Sequence, residues 1–139
     1  MHDIDCLAPY DRWKAFFVAG PQASTSTGLT SVIAHGDFAA EHILCDVTTR
    51  EITGVIDWTE IAVADRSVDF AAFFHWGGEA CINAVLSSYD GPIDEGVLNR
   101  ARFLAACRGV ADVAFGLETG RKKYIKTGVG ALGFCLGWE

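Results

Sequence analysis

The sequence predicts an α+β protein that is mainly helical, a small β-hairpin set on a bundle of helices. Three observations lead there. Two Ile- and Val-rich runs, His42–Val47 and Glu51–Asp57, flank Thr48-Thr49-Arg50, which is turn material, so a hairpin is expected. Beyond Asp69 the apolar residues recur at spacings of three and four, the period of helices. The chain has 139 residues, 50% of them hydrophobic and 12% aromatic, enough for one compact domain with a packed core.

The elements follow in chain order. Arg12–Ala19 reads as the end of a helix, and Gly20–Thr30, rich in Pro, Gly, Ser and Thr, as a loop. Ser31–Ala34 is a brief strand that runs directly into His35-Gly36-Asp37, and the hairpin comes next. Helical spacing then joins Ile82, Val85, Leu86 and Tyr89. It joins Val97, Ala101, Leu104, Ala105 and Arg108, and again Val110, Val113, Ala114 and Leu117. Gly120 suits a helix stop, and Tyr124–Leu132 reads as a last helix weakened by Gly128 and Gly130. Trp58, Phe73, Phe74 and Trp76 are expected in the core.

Charge and cysteine usage narrow the function classes. Eleven basic residues against eighteen acidic ones give a net charge of −7, which argues against a nucleic-acid partner. The one basic cluster, Arg121–Lys126, reads as a solvated helix face. No apolar run approaches the ~20 residues of a membrane span. The start, Met1-His2-Asp3-Ile4-Asp5, lacks the pattern of a signal peptide, so a cytoplasmic protein with no membrane partner is expected. The five cysteines are widely spaced with no C-x-x-C pair, which indicates reduced, mostly buried thiols.

The chemistry-bearing groups are Asp37, His42 and Asp57. The first two precede or open one strand of the hairpin and the third closes the other, so a tight hairpin brings all three together. Taken singly, an Asp after Gly is a turn residue and a His opening an apolar strand is a packed core residue. Phosphoryl transfer needs a carboxylate near the attacking hydroxyl and metal ligands near the phosphates. Protein kinases supply these from H-x-D-x-x-x-x-N and from a second Asp past the following hairpin. His35, Asp37, His42 and Asp57 stand in that order and at that spacing.

The string His35-Gly-Asp-Phe-Ala-Ala-Glu-His42-Ile-Leu, followed by Gly54-Val-Ile-Asp-Trp58, resembles the phosphate-transfer motif of the aminoglycoside phosphotransferase and choline-kinase-like family. That family usually has Asn where this chain has His42, and the macrolide 2′-phosphotransferase branch is similar to the chain in having His. Thr59-Glu60, Ala64-Asp-Arg-Ser-Val-Asp69-Phe70 and, more faintly, Phe115–Gly120 with Tyr124-Ile125 and Ala131–Gly133 also resemble that branch. The likeness is strong over residues 33–75 and fainter over 97–133.

The resemblance implies a protein-kinase-like C-terminal lobe and a set of roles. Asp37 would be the base, Asp57 a magnesium ligand, and His42 the other metal-side group, directly or through a metal-bound water. His35, Asp65 and Asp69 would brace the loop. The cofactors would be Mg2+ with ATP or GTP, and the partner a macrolide-type antibiotic rather than an aminoglycoside. Residues 1–30 would be a residual helix and loop, 31–76 the catalytic loop and hairpin, and 77–139 a helical substrate subdomain. Residues 1–34 hold no Gly-rich loop and only Lys14, so the nucleotide-binding N-terminal lobe is not among them and the chain is expected to be inactive alone. Apolar surface at Trp13, Phe16, Phe17 and the hairpin edge is then expected, with self-association through it. Two other readings are a non-catalytic ligand- or protein-binding module and a metal-dependent phosphohydrolase built on His35, Asp37, His42 and Asp57, for which His2 and His75 are the remaining histidines.

Overall fold

In the computed structural model, residues 7–21 and 31–137 are described. His2, Cys6 and positions 22–30 of the expected loop lie outside them. The order is α1 (Leu7–Ala19), β1 (Ser31–Ala34), β2 (Ile43–Cys45), β3 (Ile52–Val55), β4 (Ala62–Asp65), α2 (Ser67–Leu86), α3 (Val97–Thr119) and α4 (Lys122–Leu136). Short 3-10 turns at Ala40–His42 and Trp58–Glu60 precede β2 and β4. Helices with two small sheets agree with the α+β, mainly helical expectation.

The hairpin pairs β2 with β3 in antiparallel register, Ile43 opposite Val55 and Leu44 opposite Gly54, with an irregularity between Leu44 and Cys45. Its turn is held by Asp46. The carboxylate accepts the amides of Thr48 and Thr49 at 2.7 and 2.9 Å, and these bonds hold its pKa below the ordinary value. The ladder is shorter than the apolar runs suggested, because His42 is taken into a 3-10 turn and Asp57 turns into the left-handed region.

A second sheet, β1 with β4, was not expected from the sequence. Val32 pairs with Ala64 and Ala34 with Ala62, antiparallel. Ala62–Asp65 is four residues with two alanines, too short and too weakly apolar to carry a period. Its partner lies about thirty residues earlier in the chain, so only tertiary pairing makes it a strand.

The three long helices form the core. Phe70, Phe74, Ile82, Val97, Ala105 and Leu136 are among its buried residues. The two apolar series expected between Val97 and Leu117 fall on one continuous helix, α3. Its buried stripe is mostly small, Ala101, Ala105, Gly109 and Gly116, which lets α4 approach closely. A Cβ on Gly128 would lie 2.4 Å from the Gly109 carbonyl oxygen, so glycine is required at this crossing. Packing thus overrides the weak helix propensity of Gly128 and Gly130, and α4 runs uninterrupted past both. Within α2, Gly77 and Gly78 have non-helical angles and kink the helix.

Several expectations about burial need correction. Trp13, Phe16 and Phe17 are half-buried against the core rather than exposed, the two phenylalanines stacking on Phe103. Phe74 is buried, but Trp58 is 46% exposed, because it sits in the 3-10 turn after the hairpin and not in the helical core. Of the four described cysteines only Cys135 is buried, Cys81 is intermediate, and Cys45 and Cys107 are exposed. Burial pushes the Cys135 thiol up to about 11.

Candidate active site

The site grows from the end of β1. His35 and Gly36 follow the last strand residue, and their amides both point at Asp69 in the first turn of α2. The His35 amide donates to Asp69 Oδ2 at 2.8 Å and the Gly36 amide to Oδ1 at 3.1 Å. One carboxylate therefore fixes two successive peptides of the loop. Gly36 has φ +86°, and a Cβ there would sit 2.2 Å from the Glu60 carbonyl oxygen, so no other residue fits. Here β4 approaches β1, and the two segments that carry Asp37 and Asp57 are pressed together.

His35 is 2% exposed and joins the loop to the hairpin. Its Nε2–H donates to the Ile56 carbonyl at 2.9 Å, one residue before Asp57. Since a carbonyl only accepts, the proton is on Nε2, and Nδ1 is a buried acceptor without a partner. The ring packs against Trp58 at 4.7 Å and stacks on His42 at 5.7 Å.

The same reasoning fixes His42. Its Nδ1 donates to the Asp37 carbonyl at 2.9 Å, which leaves the Nε2 side toward Asp57 Oδ2 at 3.5 Å. Asp57 has φ +62°, unusual for a residue with a Cβ, and its other oxygen accepts from the Thr59 hydroxyl at 2.8 Å. The left-handed turn directs this carboxylate back toward His42 instead of along the strand.

Asp37, His42 and Asp57 are therefore linked within one loop–hairpin unit. His42 bonds the backbone of Asp37 and faces the side chain of Asp57. Asp65 lies apart from these groups. It accepts the Ser67 amide at the start of α2 and pairs with Arg100 at 2.7 Å, and Arg100 also holds Asp94. Burial alone would raise the Asp65 carboxyl, but the Ser67 amide and Arg100 outweigh it and the net is downward. The Asp94 carboxyl is also lowered, chiefly by its bond to Arg100.

Sequence reasoning missed Arg108. From α3 its guanidinium bonds Asp37 Oδ1 and donates to the Phe38 carbonyl at 2.8 Å. The signal was a charged residue on the same spacing as Val97, Ala101, Leu104 and Ala105. Among the described residues no cluster of three or more His, Cys, Asp or Glu is able to hold a metal alone. No described helix is long and apolar enough to cross a membrane.

The APH model, described as a phosphotransferase enzyme family, matches residues 6–104. The chain belongs to that family. An uncharacterized Bacillus subtilis protein, YcbJ, is 34% identical over 109 residues, which cover 76% of this chain and 35% of that protein. Viomycin phosphotransferase of Streptomyces vinaceus is 34% identical over 83 residues, 58% of this chain and 28% of that enzyme. Among solved structures, the GDP and kanamycin complex of the aminoglycoside enzyme APH(2″)-IIIa overlays with a TM-score of 0.66 at 21% identity, covering 97% of this chain and 47% of that one. A type I macrolide 2′-phosphotransferase overlays at 0.53 with 25% identity, covering 90% and 41%. The chain thus spans about a third of these curated relatives and less than half of these solved structures. The family-level resemblance read from the motifs is correct, and the likeness of fold extends to both aminoglycoside and macrolide enzymes.

Proposed function

We propose that the chain is the catalytic half of an antibiotic phosphotransferase, moving the γ-phosphate of ATP or GTP to the 2′-hydroxyl of a macrolide-type acceptor. The observation that carries it is the arrangement of Asp37, His42 and Asp57. One hydrogen bond orients His42 so that Nε2 and the Asp57 carboxylate converge, while the Asp37 carboxylate, 46% exposed, is open to an acceptor. Asp37 would take the proton of the attacking hydroxyl. His42 and Asp57 would hold Mg2+, which commonly binds through few protein groups and completes its shell with water and phosphates. When bound, the metal supplies charge neutralisation on the phosphates. His35, Asp65 and Asp69 would be supports, fixing the loop and the start of α2.

Two features support a macrolide acceptor. Phe38 packs against Phe73 and Trp76, with ring centroids at 5.5 and 5.7 Å, so an aromatic cluster adjoins Asp37. The pairing of Asp37 with Arg108 also removes part of the charge that would attract a polycation. The test joins this chain to the first half of a macrolide kinase and follows labelled γ-phosphate from ATP and GTP. Acceptors are erythromycin, kanamycin and viomycin. Labelled erythromycin is expected. Preference for kanamycin or viomycin would change the acceptor class. Macrolide binding with no transfer to any acceptor would support a non-catalytic module.

A further inference from the structure

Arg108 lies on α3, beyond residue 104, where the family match ends, yet it reaches the group assigned as base. The pair spans 71 positions in sequence. Its fork is divided between two acceptors that belong to the same loop. Nη2 bonds the Asp37 carboxylate at Oδ1, and Nη1 bonds the Phe38 carbonyl. Planar guanidinium fits such a pair of acceptors, whereas an ammonium group does not. Among the described residues Asp37 Oδ2 makes no hydrogen bond, so the clamp uses one oxygen and leaves the other for a substrate.

Arg108 is itself held at a fixed point. The next residue, Gly109, is buried where α3 meets α4 at Gly128. One turn further on, Asp112 pairs with the His75 ring of α2 at 2.8 Å. The guanidinium therefore projects from a stretch of helix locked on two sides, as a precisely oriented group requires.

We propose that Arg108 is a positioning residue for phosphoryl transfer. It orients Asp37 so that Oδ2 meets the acceptor hydroxyl, and it couples the base to the helical half of the molecule. The role rests on the phosphotransferase function proposed above. Misplacement of a reacting group by about 1 Å costs on the order of 10²-fold in rate. Asp37 Oδ1 is taken up by Arg108, and the groups proposed to hold the metal and its nucleotide are His42 and Asp57, so kcat and KM should separate.

Two measurements test it. In the 139-residue chain, 15N NMR of arginine side chains should show Arg108 Nη protons resolved by slow rotation, with this signature lost in Asp37→Ala. Averaged Arg108 signals that ignore Asp37→Ala would overturn the proposal. In the chain joined to a relative's first half, Arg108→Ala should lower kcat about 10²-fold with KM for nucleotide unchanged. Added guanidinium ion should restore part of the rate, and Arg108→Lys should fall between. Wild-type kcat in Arg108→Ala, or a nucleotide KM that rises in step with the loss, would also overturn it. An intact Arg108 signature with no transfer by the unsubstituted enzyme would identify a different failure. The ion pair would stand, while the phosphotransferase function and the positioning role would fall together.

Discussion

At the residue scale, Asp57 combines two demands that oppose each other. It sits at φ +62° and ψ +59°, where a Cβ crowds the backbone and glycine does not. The proposed site needs a carboxylate at that place, whereas the backbone alone would prefer glycine. Asp57→Gly should therefore unfold later than Asp57→Ala, by about 1 kcal/mol in chemical denaturation. Both variants should lose phosphate transfer in the chain joined to a relative's first half. An alanine variant as stable as the glycine one would show that the backbone is unstrained there. Asp37, His42 and Asp57 were legible in the sequence because local spacing on a single hairpin determines their meeting. Arg108 was not legible as a partner of Asp37, since its contact crosses 71 positions and depends on how α3 packs.

At the element scale, Arg100 ties the end of β4 to the approach to α3, beside Arg66, which bonds Tyr89 and Pro92. Arg100 is 12% exposed and binds Asp65 at the end of β4 and Asp94 just before α3. Both carboxyls are held below their ordinary values, and Arg100 is raised in return, chiefly through Asp94. A carboxyl lowered on folding stabilises the protein above the unfolded value, near 3.9, and that contribution fades as pH falls through the folded value. Arg100→Leu should then cost about 2 kcal/mol at neutral pH. The gap to the unsubstituted chain should narrow below about pH 4 as the carboxyls protonate. Thermal unfolding by circular dichroism from neutral to acid pH checks this, and a gap independent of pH would contradict it. The helices were legible because their apolar residues repeat over many turns. Strand β4 was not, because Ala62–Asp65 offers four residues and gains its strand character from β1.

At the scale of the whole molecule, the hairpin and the β1–β4 sheet present uncovered apolar side chains. Ile33, Val63, Ile52 and Val47 are 73%, 77%, 67% and 94% exposed. Such surface on two-stranded sheets with open edges promotes association. The 139-residue chain should self-associate, with a mass in light scattering that grows with concentration, and Ile33→Lys with Val63→Glu should reduce it. A constant monomer mass at high concentration would contradict this. The change from strand-like to helical spacing after Asp69 was legible, but the exposure of Trp58 and the half-burial of Trp13, Phe16 and Phe17 depend on packing that no local pattern records. The central claim is that Asp37 acts as the base of a phosphotransferase, and transfer of labelled γ-phosphate to erythromycin by the chain joined to a relative's first half tests it most directly. The account predicts transfer by the unsubstituted enzyme and a loss on the order of 10²–10⁴-fold in Asp37→Ala; full activity in Asp37→Ala would contradict it.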